Sequence, residues 1–213
     1  MTAHDLALPL SEETTRVLRA GDTVRLSGVI ITARDAAHAY MVNTLINADV
    51  IRESERSLYE ELQQILSGGA IYHCGPVVRV LPPKDGGGYA FVAAGPTSSI
   101  REEPYEPAVI AHFGVRCIIG KGGMGGATLR AMKDCGAVYL NATGGSASLI
   151  ASAVKEVINV HKLDAFGVPE AFWVVRVEGF PAVVTMDSHG QSIHSQVAAV
   201  SEKALNRLID DMP

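Results

Sequence analysis

The order of apolar and polar residues in the first half of the chain predicts a short helix, a long helical stretch and several strands. Ser11 is a suitable N-cap for a helix over residues 12–18. Asp35 is a candidate N-cap for a helical stretch from Ala36 to about residue 66, with a break near residues 47–49. Strands are predicted over residues 23–32, 70–74, 77–81 and 89–94, with the proline- and glycine-rich residues 82–88 as the loop of a hairpin.

In the second half the pattern changes to strands that alternate with helices. Apolar residues between Leu149 and Ile158 recur at helical spacing and predict a helix there. Two strands, residues 172–177 and 182–186, are predicted to form a hairpin around Gly179. The other predicted elements are helices over 106–113, 127–135 and 196–209 and strands over 115–119 and 137–141.

These elements predict one compact α/β domain over residues 1–213. Strands that first form hairpins and then alternate with helices indicate a mixed sheet with helices on its faces. The domain would have an N-terminal helix within residues 1–20 and a C-terminal helix within residues 194–213.

The composition is that of a globular protein. Of its 213 residues, 47% are hydrophobic and 19% are charged. The formal net charge of −5 argues against nucleic-acid binding, because proteins that bind the phosphate backbone usually carry a basic face. No apolar run reaches the roughly 18–20 residues that a membrane span needs, and residues 1–10 lack the features of a signal peptide. We therefore expect a soluble cytoplasmic protein.

The three cysteines, Cys74, Cys117 and Cys135, are far apart in the sequence and form no pair with the spacing of a zinc site. Three cysteines are enough to hold an iron–sulfur cluster with one open iron, so a cluster site is an alternative. Each cysteine lies in apolar or strand-like sequence, where a small buried thiol is the commoner arrangement. We expect all three to belong to the core and to bind no metal.

Three cationic residues follow predicted strands. Arg34 lies between the first long strand and a helix, Arg101 follows the segment GPTSSI, and Lys121 lies in the glycine-rich segment GKGGMGG. Loops of this kind meet at the carboxyl ends of parallel strands, where α/β proteins bind ligands and where helix N-termini favour anions. Two arginines and a lysine in one crevice suit a ligand with two carboxylates.

The glycine-rich segment also has the glycine spacing of a dinucleotide-binding loop. That motif requires an acidic residue at the end of the next strand to bind the ribose, but the predicted strand here ends in Asn141. The segment is not a phosphate-binding Walker loop either, because glycine rather than serine or threonine follows Lys121. An NAD-dependent oxidoreductase is therefore a weaker alternative.

Two histidines lie at predicted strand ends or turns. His73 precedes Cys74-Gly75-Pro76, where its imidazole is equally suited to packing and to acid–base chemistry, since its ordinary pKa is about 6.5. His189 is interpreted as a turn residue. We include His73 among the candidate substrate-binding residues.

Taken in order, several motifs resemble the beta subunit, or the fused C-terminal domain, of class I fumarases and L(+)-tartrate dehydratases. The resemblance extends from residue 21 to about residue 193. Its motifs are LSG at 26–28, RDAAH at 34–38, HCGP at 73–76, GPTSSIR at 95–101, GKGGM at 120–124, GG at 144–145, PEA at 169–171 and DSHG at 187–190. Several ordered motifs in one chain are more specific than any one of them.

The resemblance implies a swivelling β/β/α-type domain that closes over an alpha subunit carrying a [4Fe-4S] cluster, in an expected α2β2 assembly. Arg34, Thr97, Arg101 and Lys121 match family residues that contact the carboxylates of a small dicarboxylate substrate, and Thr97 matches a proposed catalytic base. The implied activity is that of a hydro-lyase, present only together with the alpha subunit.

The motifs leave the substrate open. Glu102-Glu103 stand where fumarases usually have Met-Asp, whereas His73, Gly123-Met124 and Trp173 are closer to the tartrate dehydratases. Malate to fumarate and L-tartrate to oxaloacetate both remain candidate reactions. From another class of protein, a stand-alone module that binds a dicarboxylate or a nucleotide without catalysis is the main alternative.

Overall fold

A mixed seven-stranded sheet with helices on its faces forms the centre of the molecule, as described for residues 2–83 and 86–210 by a computed structural model. The strands are β1 Ala3–Ala7, β2 Thr23–Thr32, β3 Ala70–Tyr72, β4 Val77–Val80, β5 Tyr89–Ala93, β6 Cys117–Gly120, β7 Val138–Asn141, β8 Val154–His161 and β9 Phe172–Met186. The helices are α1 Glu12–Val17, α2 Asp35–Tyr40, α3 Glu53–Leu66, α4 Glu106–Phe113, α5 Gly126–Cys135, α6 Ala147–Ala151, α7 Leu163–Phe166 and α8 Ile193–Asp210. A π-helical segment, Met41–Ile46, continues α2, and a 3-10 turn, Ser99–Glu102, precedes α4.

The strand order explains why one edge of the sheet collects loops. Strands β1, β2, β3, β6 and β7 are neighbours and run parallel. The long strand β9 is antiparallel to β2 on one side and to β7 and β8 on the other. Strands β2, β3, β6, β7 and β9 therefore form a closed ring of paired strands. The hairpin of β4 and β5 is a separate small sheet. The predicted α/β fold with a mixed sheet is confirmed.

Alternating side chains along the strands supply two apolar cores. In β2, Ile30 packs into a cluster that includes Trp173 and Phe180, whereas the next residue, Ile31, packs on the other face against the helices. Both isoleucines are almost completely buried. Strands β3 and β6 are buried along their whole length and so on both faces, as is usual for parallel strands covered by helices.

The structure corrects three predictions of secondary structure. The N-terminal region begins with strand β1, which the sequence analysis missed, and α1 follows it. The helix predicted from the apolar residues between Leu149 and Ile158 is not one helix, since the short α6 is followed by strand β8. The predicted hairpin around Gly179 is one continuous strand, β9, in which Phe180 pairs with Leu26 of β2.

Other predicted elements are confirmed. Ser11 caps α1, accepting a hydrogen bond from the Thr14 amide at 3.2 Å. The 82–88 loop joins β4 and β5, although residues 84 and 85 lie outside the described part of the chain. The C-terminal helix spans residues 193–210, and residues 211–213 lie outside the described part of the chain. Across the described chain, every helix is too short or too polar to cross a bilayer.

Candidate functional site

The residues that follow β2, β3, β6 and β7 lie at one edge of the sheet, because the carboxyl ends of parallel strands point the same way. Arg34, His73, Lys121 and Asn141 are at or just beyond these strand ends. The loop that contains Thr97 is attached to the same edge through two β-bridges, one between Pro96 and Cys74 and one between Ser98 and Lys121.

The side chain of Arg34 packs closely against the backbone of a glycine at this edge. It is the N-cap residue of α2, and a Cβ atom at Gly75 would lie 2.6 Å from its Nη1. Its Nε lies 3.5 Å from a carboxylate oxygen of Glu170, while its side chain keeps 20% exposure. The glycine of the HCGP motif therefore provides the space in which the guanidinium lies.

Thr97 and Lys121 are neighbours through their main chains. The Thr97 amide donates to the carbonyl of His73 at 2.7 Å, and the Lys121 amide donates to the carbonyl of Thr97 at 3.2 Å. Thr97 is half-buried and Lys121 is exposed. The structure thus brings two predicted site residues from separate loops into direct contact.

Arg101 lies beside Asp35, which corrects the predicted cap of α2. The Asp35 carboxylate forms an ion pair with Arg101 and makes no capping hydrogen bond, and α2 begins at Asp35 itself. The amide of Ala36 donates instead to Glu170 at 3.0 Å. Asp35 directly follows Arg34 in the chain, so its ion pair brings Arg101 close to the start of α2 and to Arg34.

Glu103 occupies the N-terminus of α5. Its carboxylate accepts hydrogen bonds from the amides of Gly125 at 2.7 Å, Ala127 at 3.0 Å and Thr128 at 3.2 Å, and from the Thr128 hydroxyl at 2.6 Å. A phosphate in a dinucleotide-binding loop would need these same amides. The contacts therefore count against the dinucleotide alternative and give Glu103 a structural role that its sequence position did not reveal.

His73 is placed differently from its predicted role in substrate binding. Its side chain is completely buried, with Nδ1 2.8 Å from the Ser99 hydroxyl and Nε2 3.1 Å from the carboxylate of Glu106. A ring with no exposed surface has no access to a ligand in this arrangement. The buried glutamate was not predicted, because nothing in the local sequence marks it.

The cysteines do not form a site for a cluster. Cys74 and Cys117 are buried, as predicted, and burial raises the pKa of each thiol to about 12, so both stay protonated near neutral pH. Cys135, at the end of α5, is half-buried rather than buried. Among residues 2–83 and 86–210, no three cysteines lie close enough to hold one metal centre. The thiols of this chain therefore do not fit an iron–sulfur cluster.

The candidate residues Arg34, Thr97, Arg101 and Lys121 lie along the same edge of the sheet. Arg101 and Lys121 are exposed. A cavity of about 470 Å³ beside β1 and β2 is lined by Asn141 and Thr143 but by none of the four. This edge therefore presents the side chains of Arg101 and Lys121 to solvent.

The sequence matches the family described as Fumarase C-terminus over residues 2–197. The chain belongs to this family. The match covers nearly all of the described structure, including every residue of the candidate site. The family resemblance inferred from the ordered motifs is thereby confirmed.

Three relatives are similar to the chain over most of its length. A provisionally named class I fumarate hydratase of Geobacillus stearothermophilus is 44% identical over 202 residues, which are 95% of this chain but 35% of that longer protein. A provisionally named L(+)-tartrate dehydratase subunit beta of Methanocaldococcus jannaschii is 38% identical, covering 94% of this chain and 95% of the relative. The L(+)-tartrate dehydratase subunit beta of Escherichia coli K12 is 34% identical, and the match covers 88% of this chain and 85% of the relative.

Proposed function

We propose that this chain is the beta-type component of a hydro-lyase that reversibly dehydrates a four-carbon hydroxy-dicarboxylate. In this proposal Arg34, Arg101 and Lys121 bind the substrate carboxylates, and Thr97 moves the proton at the reacting carbon. The names of the relatives support the reaction class, because fumarate hydratases and L(+)-tartrate dehydratases add or remove water.

The observation that carries the proposal is the shared position of the four residues. Arg34 and Lys121 follow parallel strands at one sheet edge, the main chain of Thr97 is bonded to that of Lys121, and Arg101 is joined to the start of α2 through Asp35. Arginine binds a carboxylate through two parallel hydrogen bonds, and lysine adds a point charge. This arrangement suits an anion with a carboxylate at each end.

The reaction requires a second component. Dehydration removes a proton from one carbon and hydroxide from the next, and the two leave as water. Hydroxide is a poor leaving group, whose loss usually needs a Lewis-acidic metal. Since the cysteines of this chain lie apart, we propose that a [4Fe-4S] cluster is held by an alpha subunit in a cytoplasmic α2β2 complex.

The proposal is tested by co-expressing the chain with a candidate alpha subunit under anaerobic conditions. The purified complex is assayed with malate, fumarate and L-tartrate, and the isolated chain is assayed in parallel. We expect activity in the complex alone, and no cluster on the isolated chain after treatment with iron and sulfide. Stoichiometric cluster or dehydratase activity on the isolated chain, or a complex inactive towards all three substrates, would overturn the proposal.

The same assay assigns the substrate. Both fumarate hydratase and tartrate dehydratase appear among the names of the relatives, and the motifs of this chain leave the substrate open. The substrate with the highest kcat/KM in the complex identifies the reaction.

A further inference from the structure

Behind the candidate site, five completely buried polar side chains form one hydrogen-bonded network: His38, Glu106, His73, Ser99 and Tyr139. Glu106 Oε2 lies 2.9 Å from His38 Nε2 and 3.1 Å from His73 Nε2. The Ser99 hydroxyl lies 2.8 Å from His73 Nδ1 and 2.8 Å from the Tyr139 hydroxyl. Buried polar groups that are hydrogen-bonded to one another in this way fix the relative positions of the segments that carry them.

The chemistry of the partners determines where the protons lie. The Nδ1 atom of His38 is 2.9 Å from the carbonyl oxygen of Arg34. A carbonyl and a carboxylate only accept hydrogen bonds, so His38 donates from both nitrogens and is an imidazolium. His73 donates from Nε2 to Glu106, which leaves its Nδ1 to accept from the hydroxyl of Ser99.

The direction of the pKa shifts agrees with this assignment. Burial disfavours the charged form of His38, but the hydrogen bond and charge of Glu106 outweigh it and raise the pKa of His38. Burial alone would raise the pKa of Glu106, but hydrogen bonds from the two histidines lower it to about 2. Burial lowers the pKa of His73, which therefore stays neutral.

The spacing is that of hydrogen bonds rather than of ligands around a metal ion. The three acceptor and donor atoms of His38, His73 and Glu106 lie within 4.8 Å of one another. Ligands about 2.0–2.1 Å from a tetrahedral zinc ion stand roughly 3.3 Å apart. The distances from Glu106 Oε2 to the Nε2 atoms of His38 and His73, 2.9 and 3.1 Å, are shorter than that. They are the usual lengths of hydrogen bonds from N–H groups to a carboxylate oxygen.

The two ends of the network are bonded to the loops that carry the candidate residues. At one end His38 holds the carbonyl of Arg34. At the other end lies Ser99, two residues after Thr97. Its amide donates to the carbonyl of Lys121 at 3.0 Å. A Cβ atom at Gly120 would collide with the Ser99 hydroxyl, so the strand end before Lys121 is packed directly on the network.

We infer that the network from His38 through Glu106 and His73 to Ser99 is a positioning device for the proposed substrate site. It joins the Arg34 loop to the loops of Thr97 and Lys121, so that the carboxylate-binding groups and the proton-moving hydroxyl keep one fixed spacing. None of its side chains contacts the substrate. The inference rests on the proposed function, because the spacing matters only if the three loops act on one ligand.

Enzyme kinetics of the complex with its alpha subunit test this inference. Ser99→Ala cuts the link to His73, whereas Tyr139→Phe removes only the outer hydrogen bond of Ser99. Val109→Ala is the control, since Val109 is completely buried in α4, the helix that carries Glu106, but lies outside the network. Displacement of reacting groups by about 1 Å costs up to about 100-fold, so Ser99→Ala should lose about 10- to 100-fold in kcat/KM. Tyr139→Phe should lose less.

Melting temperature and histidine NMR separate positioning from stability. Val109→Ala should keep kcat/KM within about twofold even where its melting temperature falls as far as that of Ser99→Ala. In the wild-type chain, ¹⁵N spectra near neutral pH should show His38 protonated on both nitrogens and His73 on Nε2 alone. A neutral His38, or near-wild-type kcat/KM in Ser99→Ala, overturns the inference while leaving the proposed function intact. A wild-type complex inactive on every dicarboxylate overturns the proposed function itself.

Discussion

At the scale of single residues, the two candidate arginines already face carboxylates of their own chain. Arg34 lies 3.5 Å from Glu170, and Arg101 is paired with Asp35. Both arginines keep exposed surface, so in the proposed function a substrate carboxylate joins or replaces these partners. The internal carboxylates hold the guanidinium groups in place before the ligand arrives, which reduces the ordering that binding requires.

A change at Thr97 tests whether its hydroxyl takes part in proton movement. Thr97→Val keeps the shape of the side chain but removes the hydroxyl. If the hydroxyl moves the proton, kcat should fall by about 100-fold or more with KM little changed. Thr97→Ser, which restores a hydroxyl, is the control and should recover most of kcat. A valine variant with normal kcat and a lower melting temperature would show that Thr97 only supports the fold.

Glu102 gives the free energy of unfolding a distinct pH dependence. Burial raises the pKa of its carboxyl from 4.5 to about 7, opposed by His38 and assisted by Asp35 and Glu106. In the folded chain Glu102 therefore keeps a proton that the unfolded chain releases at lower pH. Its contribution to stability is complete below pH about 4.5 and is lost as the pH rises to about 7.

Melting temperatures of the wild type and of Glu102→Gln measure this effect. Glutamine stays neutral, so the variant should gain stability relative to the wild type as the pH is raised from about 5 to about 7. Glu53→Gln, at an exposed position, is the control and should follow the wild type. Parallel curves for all three proteins would contradict the assignment of a proton to Glu102.

Some of these roles could be predicted from the sequence and others could not. Strand ends followed by Arg34 and Lys121 indicated one sheet edge, and the structure places both there. His73 could not be assigned, because its position after a strand is equally compatible with an exposed and a buried ring. Its partner Glu106 is 33 residues away, and only the tertiary fold brings the two together.

At the scale of secondary-structure elements, the start of α5 depends on a side chain from another loop. Glu103 follows the 3-10 turn and supplies the acceptors that the first amides of α5 lack. A negative charge at a helix N-terminus is also favourable towards the helix dipole. The contact connects the segment after Arg101 to the glycine-rich segment around Lys121.

Replacing Glu103 with glutamine should destabilise the chain by about 1–2 kcal/mol, because one acceptor becomes a donor facing an amide and the charge is lost. For a chain of this length each kcal/mol lowers the melting temperature by about 2–4 °C. Glu156→Gln removes an exposed ion pair with Arg176 and should change stability by less than about 1 kcal/mol. Equal melting temperatures for the two variants would contradict the capping role.

The error over β8 has a physical cause. Val154, Val157 and Val160 pack on the core and recur every third residue, which resembles the spacing of a helix. The pairing of β8 with β9 contains two irregularities, after Val154 and after Val157. A bulge adds one residue to the two-residue repeat of a strand, so apolar positions three apart also fit a bulged strand. Similarly, Gly179 and Pro181 mark an irregularity within β9 rather than a turn.

At the scale of the whole molecule, the closed strand pairings bring four loops to one open edge. Apolar cores on both faces of the sheet pack against these strands, so the edge is built on a buried framework. The proposed function requires an alpha subunit to cover this edge. Permanent interfaces of this kind typically bury more than about 2,000 Å² in total.

The central claim, that this edge binds the substrate carboxylates, is tested most directly by kcat/KM of Arg101→Lys in the complex with its alpha subunit. Lysine keeps the charge but loses the paired hydrogen bonds, which should cost about 1.5–3 kcal/mol, or roughly 10- to 150-fold in kcat/KM. Arg56→Lys is the control, since Arg56 forms an exposed ion pair with Glu53 within α3 and is not among the candidate site residues, so it should leave kcat/KM unchanged. A value for Arg101→Lys equal to that of the control would contradict the account and remove Arg101 from the active site.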